Sequence, residues 1–144
     1  MAKHVMAKIS TGARRASILV ADDILFSLGG KAYLQGVYLN DISIPADQVV
    51  APQLVFMFLF ETEIENRFSS ITLEVTLPGN DAVKAPVPIA PTAITHPDRT
   101  HISYRLPMLL QAPILRPGRI EARIIHEGGE IIGNAIWITK AGQP

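Results

Sequence analysis

The sequence predicts an all-β protein: an antiparallel β-sandwich of about seven to eight strands, immunoglobulin-like in general architecture, with a closed barrel as the alternative. Three observations predict it. Short runs rich in Ile, Val, Leu and aromatic residues recur along the chain, punctuated by Gly, Pro, Asn and Asp. No segment carries the apolar periodicity of a long helix. Leu54-Val55-Phe56-Met57-Phe58-Leu59-Phe60 has no polar side, so both faces of that strand must be covered, by this chain or by another.

Length and composition bound the answer further. At 144 residues the chain is sized for one domain, placed at residues 16–140, that buries a core without staples. The absence of cysteine excludes disulfides, thiolate metal ligands and cysteine nucleophiles, and agrees with the cytoplasm, the expected compartment. Charged residues are 18% against 48% hydrophobic, which argues for a packed, rather apolar body over disorder. Formal net charge is zero but unevenly spread. Residues 1–15 carry Lys3, Lys8, Arg14 and Arg15 without an acid and read as a basic flexible tail. Residues 16–83 are net acidic, with Lys31 and Arg67 their only bases, and residues 84–144 are net basic. This balance leaves no footprint for nucleic acid and little repulsion to oppose self-association. The uncharged stretch between Asp47 and Glu61 contains Pro52 and falls short of the ~20 residues of a membrane helix, so no membrane contact is expected. Ile18-Leu19-Val20-Ala21 runs into Asp22-Asp23 too early to be the core of a signal peptide.

The elements follow in order. Residues 16–27 form the first strand, and Gly29-Gly30 supplies the positive φ values of a tight turn. Residues 31–39 then return as the second arm of a hairpin. Residues 40–52 connect, with one short helical turn over 46–50. In the next strand Leu54, Phe56, Phe58 and Phe60 face one way and Val55, Met57 and Leu59 the other. Residues 61–68 form a charged link. The cleanest alternation comes next, with Ile71, Leu73, Val75 and Leu77 inward and Thr72, Glu74 and Thr76 in water.

Pro78-Gly79-Asn80-Asp81 turns into a run over 83–90 that Pro86 and Pro88 confine to a sheet edge. Residues 90–100 are a loop, and residues 102–110 form a strand despite Pro107, which argues against it. Pro117-Gly118 opens the closing hairpin. Residues 119–126 rise, Glu127-Gly128-Gly129-Glu130 turns, and residues 131–139 return. On that return, Ile132, Ile136 and Ile138 are expected on one side and Ile131, Ala135 and Trp137 on the other.

Several of these segments carry a resemblance. They are Ala21-Asp22-Asp23, Gly30-Lys31 leading to Gln35-Gly36-Val37-Tyr38, Ile44-Pro45, the Pro78-Gly79 turn, and the terminal hairpin from Pro117-Gly118 to Glu127-Gly128-Gly129-Glu130. Over roughly residues 16–140 the pattern resembles a family of uncharacterised bacterial β-sandwich domains of unknown function. The resemblance implies the sandwich fold and brings no catalytic or binding residue with it.

Candidate sites are few. His96-Pro97-Asp98-Arg99-Thr100-His101 is the one local cluster of ligand-type residues. Its spacing matches no zinc motif and Arg99 opposes a cation, so no metal or cofactor is expected; His96, Asp98 and His101 would carry one. Asp22 and Asp23 are adjacent in a strand and point to opposite faces, which rules out an acid/base dyad and suggests a bulge or an edge charge. No serine sits in a nucleophile elbow, and neither glycine pair leads into a phosphate-binding helix. Arg116, Arg119 and Arg123, with Arg105, could line a basic strip, although a solvated strand face explains them as well.

The expected function is therefore a non-enzymatic binding or structural module. It self-associates, or binds another protein, through an apolar sheet face made of Val55, Met57 and Leu59 with Trp137 as aromatic anchor. The alternative is a small-ligand or metal-binding sandwich, using an interior pocket lined by Phe56, Phe58 and Tyr104 or the loop from His96 to His101.

Overall fold

The computed structural model describes residues 15–89 and 96–142. Most of the expected basic tail and the Pro91 part of the 90–100 loop lie outside them. The described residues form strands β1 (Ala16–Ser27), β2 (Lys31–Val37), β3 (Ile42–Ile44), β4 (Val49–Val50) and β5 (Gln53–Glu63), then a single 3-10 turn at Ile64–Asn66. They continue with β6 (Ile71–Thr76), β7 (Val83–Val87), β8 (His101–Gln111), β9 (Ile114–Leu115), β10 (Gly118–His126), β11 (Gly129–Ile132) and β12 (Ile136–Lys140). The first sheet has the order β2-β1-β5-β8, and the second has β3-β12-β10-β6-β7 with β11 also paired to β10. A two-stranded ribbon of β4 and β9 lies apart, and neither main sheet closes into a barrel. The architecture is a β-sandwich.

The core forms where the two sheets turn their apolar rows toward each other. Leu54, Phe56, Phe58 and Phe60 of β5 pack with Ile18 and Val20 of β1, and with Leu73, Val75, Ile120 and Ile124 of the opposite sheet. At one end Phe60 stacks on Tyr104 with centroids 4.9 Å apart, and Phe68 meets both rings edge-on. Glu127 fastens this end: its carboxylate accepts from the backbone N–H groups of Ser69 and Ser70 and from the Ser69 hydroxyl. Burial works against its ionisation, but these donors and His126 outweigh it and pull the carboxyl down to about 2.

Four local expectations change. Residues 46–50 hold no helical turn, because β3 pairs in parallel with β12 and Val49 and Val50 pair with Leu115 and Ile114. The charged link begins later, since β5 continues to Glu63 opposite His101. Glu74 is buried rather than in water. Its neighbours on both sides are cations: Arg123 at 2.6 Å and Lys84 at 3.6 Å stand directly across the ladder. The Arg123 hydrogen bond is the main reason its carboxyl titrates below the ordinary range, against the opposing effect of burial.

The last return is not one strand. Residues 133–135 interrupt it, Gly133 N donates to the Ala122 carbonyl, and Asn134 Oδ1 accepts from Ile18 N at 2.6 Å, tying the second sheet to β1. The interruption exchanges the expected faces of Ile131 and Ile132. Ile131 joins Ile136 and Ile138 in the core, while Ile132 and Trp137 are exposed. Gly133 is required here, since a Cβ would stand 2.5 Å from Ile18 Cγ1.

Candidate interaction surface

The strands that position the surface are β1 and β5. They pair from Ala16 opposite Phe60 to Ala21 opposite Val55, so among the described residues the remaining half of β1 has β2 as its one paired strand. At the departure point the β1–β2 ladder skips Asp22 and Gly36, although the register is the same on either side. Gly36 has φ +66°, and a Cβ there would lie 2.4 Å from Asp22 Oδ2 and 3.1 Å from Asp22 Cβ. Only glycine satisfies both the positive φ and the close approach. The irregularity turns the hairpin over: Ala21 and Ile24, three residues apart, join one cluster, which strict alternation forbids.

Polar bonds fix this hinge. The Tyr38 hydroxyl donates to Asp22 Oδ1 at 2.8 Å, and its phenol is pushed up to about 12, first by burial and then by that carboxylate. Asp23 Oδ1 accepts from Gln53 Nε2 at 2.6 Å and from Ile24 N at 2.8 Å. The two carboxylates therefore serve separate partners, in keeping with the argument against a dyad.

Below the hinge lies a second apolar cluster on the outer side of the first sheet. Ala21, Ile24, Val55 and Met57 are buried in it, with Leu34, Val37 and Leu59 packed against them. Both faces of β5 are thus covered, one by the core and one by the base of the hairpin. Of the four residues expected at an interface, Val55 is fully buried and Met57 is 8% exposed. Leu59 is half-buried beside them, and Trp137 is exposed on the outer face of the other sheet, opposite Arg119. The four do not make one surface.

Beyond the hinge the hairpin carries the exposed apolar surface instead. Leu25 is 48%, Phe26 68% and Tyr33 54% exposed, and Leu28 in the turn is fully exposed. Cross-strand pairing puts Leu25 and Tyr33 on one face of the arm and Phe26 with Ala32 on the other. At roughly 200 Å² for a large side chain, these four present about 500 Å² of surface to water. That surface is divided between the two faces of the arm and its turn. The hairpin itself is legible in the sequence, but its projection past β5 is a matter of register. A signal was present all the same: Ile24-Leu25-Phe26 is as two-sided as the central strand and sits next to Leu28 in a turn.

The other candidates disperse. His96 Nδ1 stands 3.9 Å from Asp98 Oδ2, while His101 Nδ1 bonds the Thr100 hydroxyl. Among the described residues no group of three or more His, Asp or Glu side chains could hold a metal ion. Phe56 and Phe58 are fully buried in the core, and Tyr104 stacks on Phe60, so these rings fill space rather than line a pocket. Arg123 is engaged by Glu74 and Glu130, Arg116 donates to Gln48, and Arg105 lies on the other sheet, opposite Leu59. A cleft of about 330 Å³ beside Asn80, Asp81 and Gln111 is open and largely apolar. Among the described residues no helix is long and apolar enough to cross a membrane. No family model matches the chain, and no curated protein was found to be similar to it.

Proposed function

We propose that this protein is a non-enzymatic binding module that self-associates through its β1–β2 hairpin. One observation carries the reading: the arm projects beyond its sheet with Leu25, Phe26, Leu28 and Tyr33 in water, from a kink at Gly36 held by the Tyr38–Asp22 hydrogen bond. A large apolar side chain left in solvent forfeits roughly 1.5–3 kcal/mol of burial, so four together form a strong drive for association. The formal net charge of zero offers no long-range repulsion against it.

Analytical ultracentrifugation over a wide concentration range tests this. Wild-type protein should gain mass as concentration rises, and a Phe26→Asp/Leu28→Asp variant should stay monomeric with an unchanged melting temperature. A wild-type chain that remains monomeric throughout would overturn the reading.

A further inference from the structure

We infer that β2 is the docking edge for a second copy of this chain, with two β2 strands paired antiparallel about a two-fold axis so that the two first sheets become one. The inference rests on the binding function proposed above and names its partner and geometry.

The argument starts from the sheet edges. Unpaired edges invite strand addition, and proteins blunt them with proline, charge, bulges or shortness. Among the described residues three of the four outermost strands are blunted, and the half of β1 that β5 leaves unpaired begins with the two carboxylates Asp22 and Asp23. β8 carries Pro107 and Arg105, β7 carries Pro86 and Lys84, and β3 is three residues long. β2 differs: over seven residues it has no proline, and Lys31 is its one charge. Its kink at Gly36 lies at the base and leaves residues 31–35 as a regular free run.

The distribution of apolar groups selects edge pairing over face docking. Phe26 and Ala32 lie on one side of the arm and Leu25 and Tyr33 on the other. A partner laid against one face would meet one of these pairs only, whereas a strand added at β2 brings cross-strand neighbours to Ala32 and Tyr33, which lie on opposite faces.

Two features favour a second copy as that strand. Antiparallel edges are self-complementary, and two-fold homodimers are the commonest assemblies. Charge agrees as well. Antiparallel pairing sends the two Lys31 residues to opposite ends, each toward the partner's hinge, where Asp23 lies across from Gln35 and Asp22 beside Gly36.

The chain has no cysteine, so single cysteines report the geometry without background. Residues near a two-fold axis oppose their own copies closely enough to form a disulfide. We would place Ala32→Cys, Tyr33→Cys and Gln35→Cys along β2, with Leu109→Cys and Trp137→Cys on the outer faces of the two sheets. Each variant is checked for a wild-type melting temperature when reduced, then oxidised at a concentration where the wild type associates. The expected result is a covalent dimer from at least one β2 position and none from Leu109→Cys or Trp137→Cys. Association in solution without cross-linking on β2, whether or not the face positions react, would overturn edge pairing and leave the binding function standing. A chain monomeric at every concentration would overturn both.

Discussion

The central rows of the sandwich's two outer faces are built from opposite chemistry. On the first sheet two outer rows cross the strands without a charge, as Val37, Ala21, Val55 and Leu109 and then Leu19, Met57 and Pro107, before Arg105 opposite Leu59 and the acids Glu61 and Glu63 follow. On the second sheet the corresponding row is Lys84, Glu74 and Arg123, with Glu130 closing on Arg123 and the exposed Ile132 opposite it. The charges of that row are satisfied side chain by side chain across the ladder. The apolar rows have no such option, so the chain folds the base of a hairpin over them and carries the remaining apolar surface out on the arm. The charged row is finished within the chain, and the apolar surface is finished only in part.

The sharpest way to break this comparison is to remove packing from each face. Met57→Ala should cost about 2–4 kcal/mol in urea unfolding, because Met57 belongs to a second core. Trp137→Ala on the charged face should cost less than about 1 kcal/mol. Equal losses would erase the distinction.

The hinge comes next in magnitude. Gly36→Ala forces an L side chain into φ +66° against Asp22 and should destabilise by about 1–3 kcal/mol. If it is neutral, the arm is not held by that close approach. On the charged face, Glu74→Gln should cost about 1–2 kcal/mol, below the loss for a fully buried pair because Lys84 and Arg123 keep much of their hydration. Raising the salt concentration should narrow the difference between Glu74→Gln and wild type and leave the Met57→Ala effect intact.

The smallest expected effect is a pH dependence at the shared end of the two sheets. The folded pKa of Glu127, about 2, lies below its ordinary value of 4.5, so its contribution is fully present above that ordinary value. That contribution is lost as pH falls toward 2. Glu74 is shifted in the same direction and adds to the acid sensitivity. Melting curves between neutral pH and pH about 3 should show a shallower fall for Glu127→Gln than for wild type. Parallel curves would contradict the assignment.

Much of the fold was legible because local chemistry dictated it. Ile71 to Leu77 alternate cleanly, Gly29-Gly30 and Gly128-Gly129 mark hairpin tips, and Pro86 marks an edge. What stayed hidden depends on partners distant in sequence. Glu74 reads as solvated until Arg123 and Lys84 are placed beside it, 49 residues away in the Arg123 case. Ile131 and Ile132 exchange faces because Asn134 bonds Ile18 N, 116 residues away. Even numbering correctly put Phe56 and Phe58 in the core, yet nothing local shows that Ile24 and Leu34 curl back onto Val55. The surface that emerges is therefore displaced from the central strand to the arm whose base covers it.

Amide hydrogen exchange on β2 tests the central claim most directly. As protein concentration rises, amides within residues 31–35 should become protected while those of β8, the edge blunted by Pro107, keep their rates. Exchange on β2 that is fast and unchanged at every concentration would contradict the account.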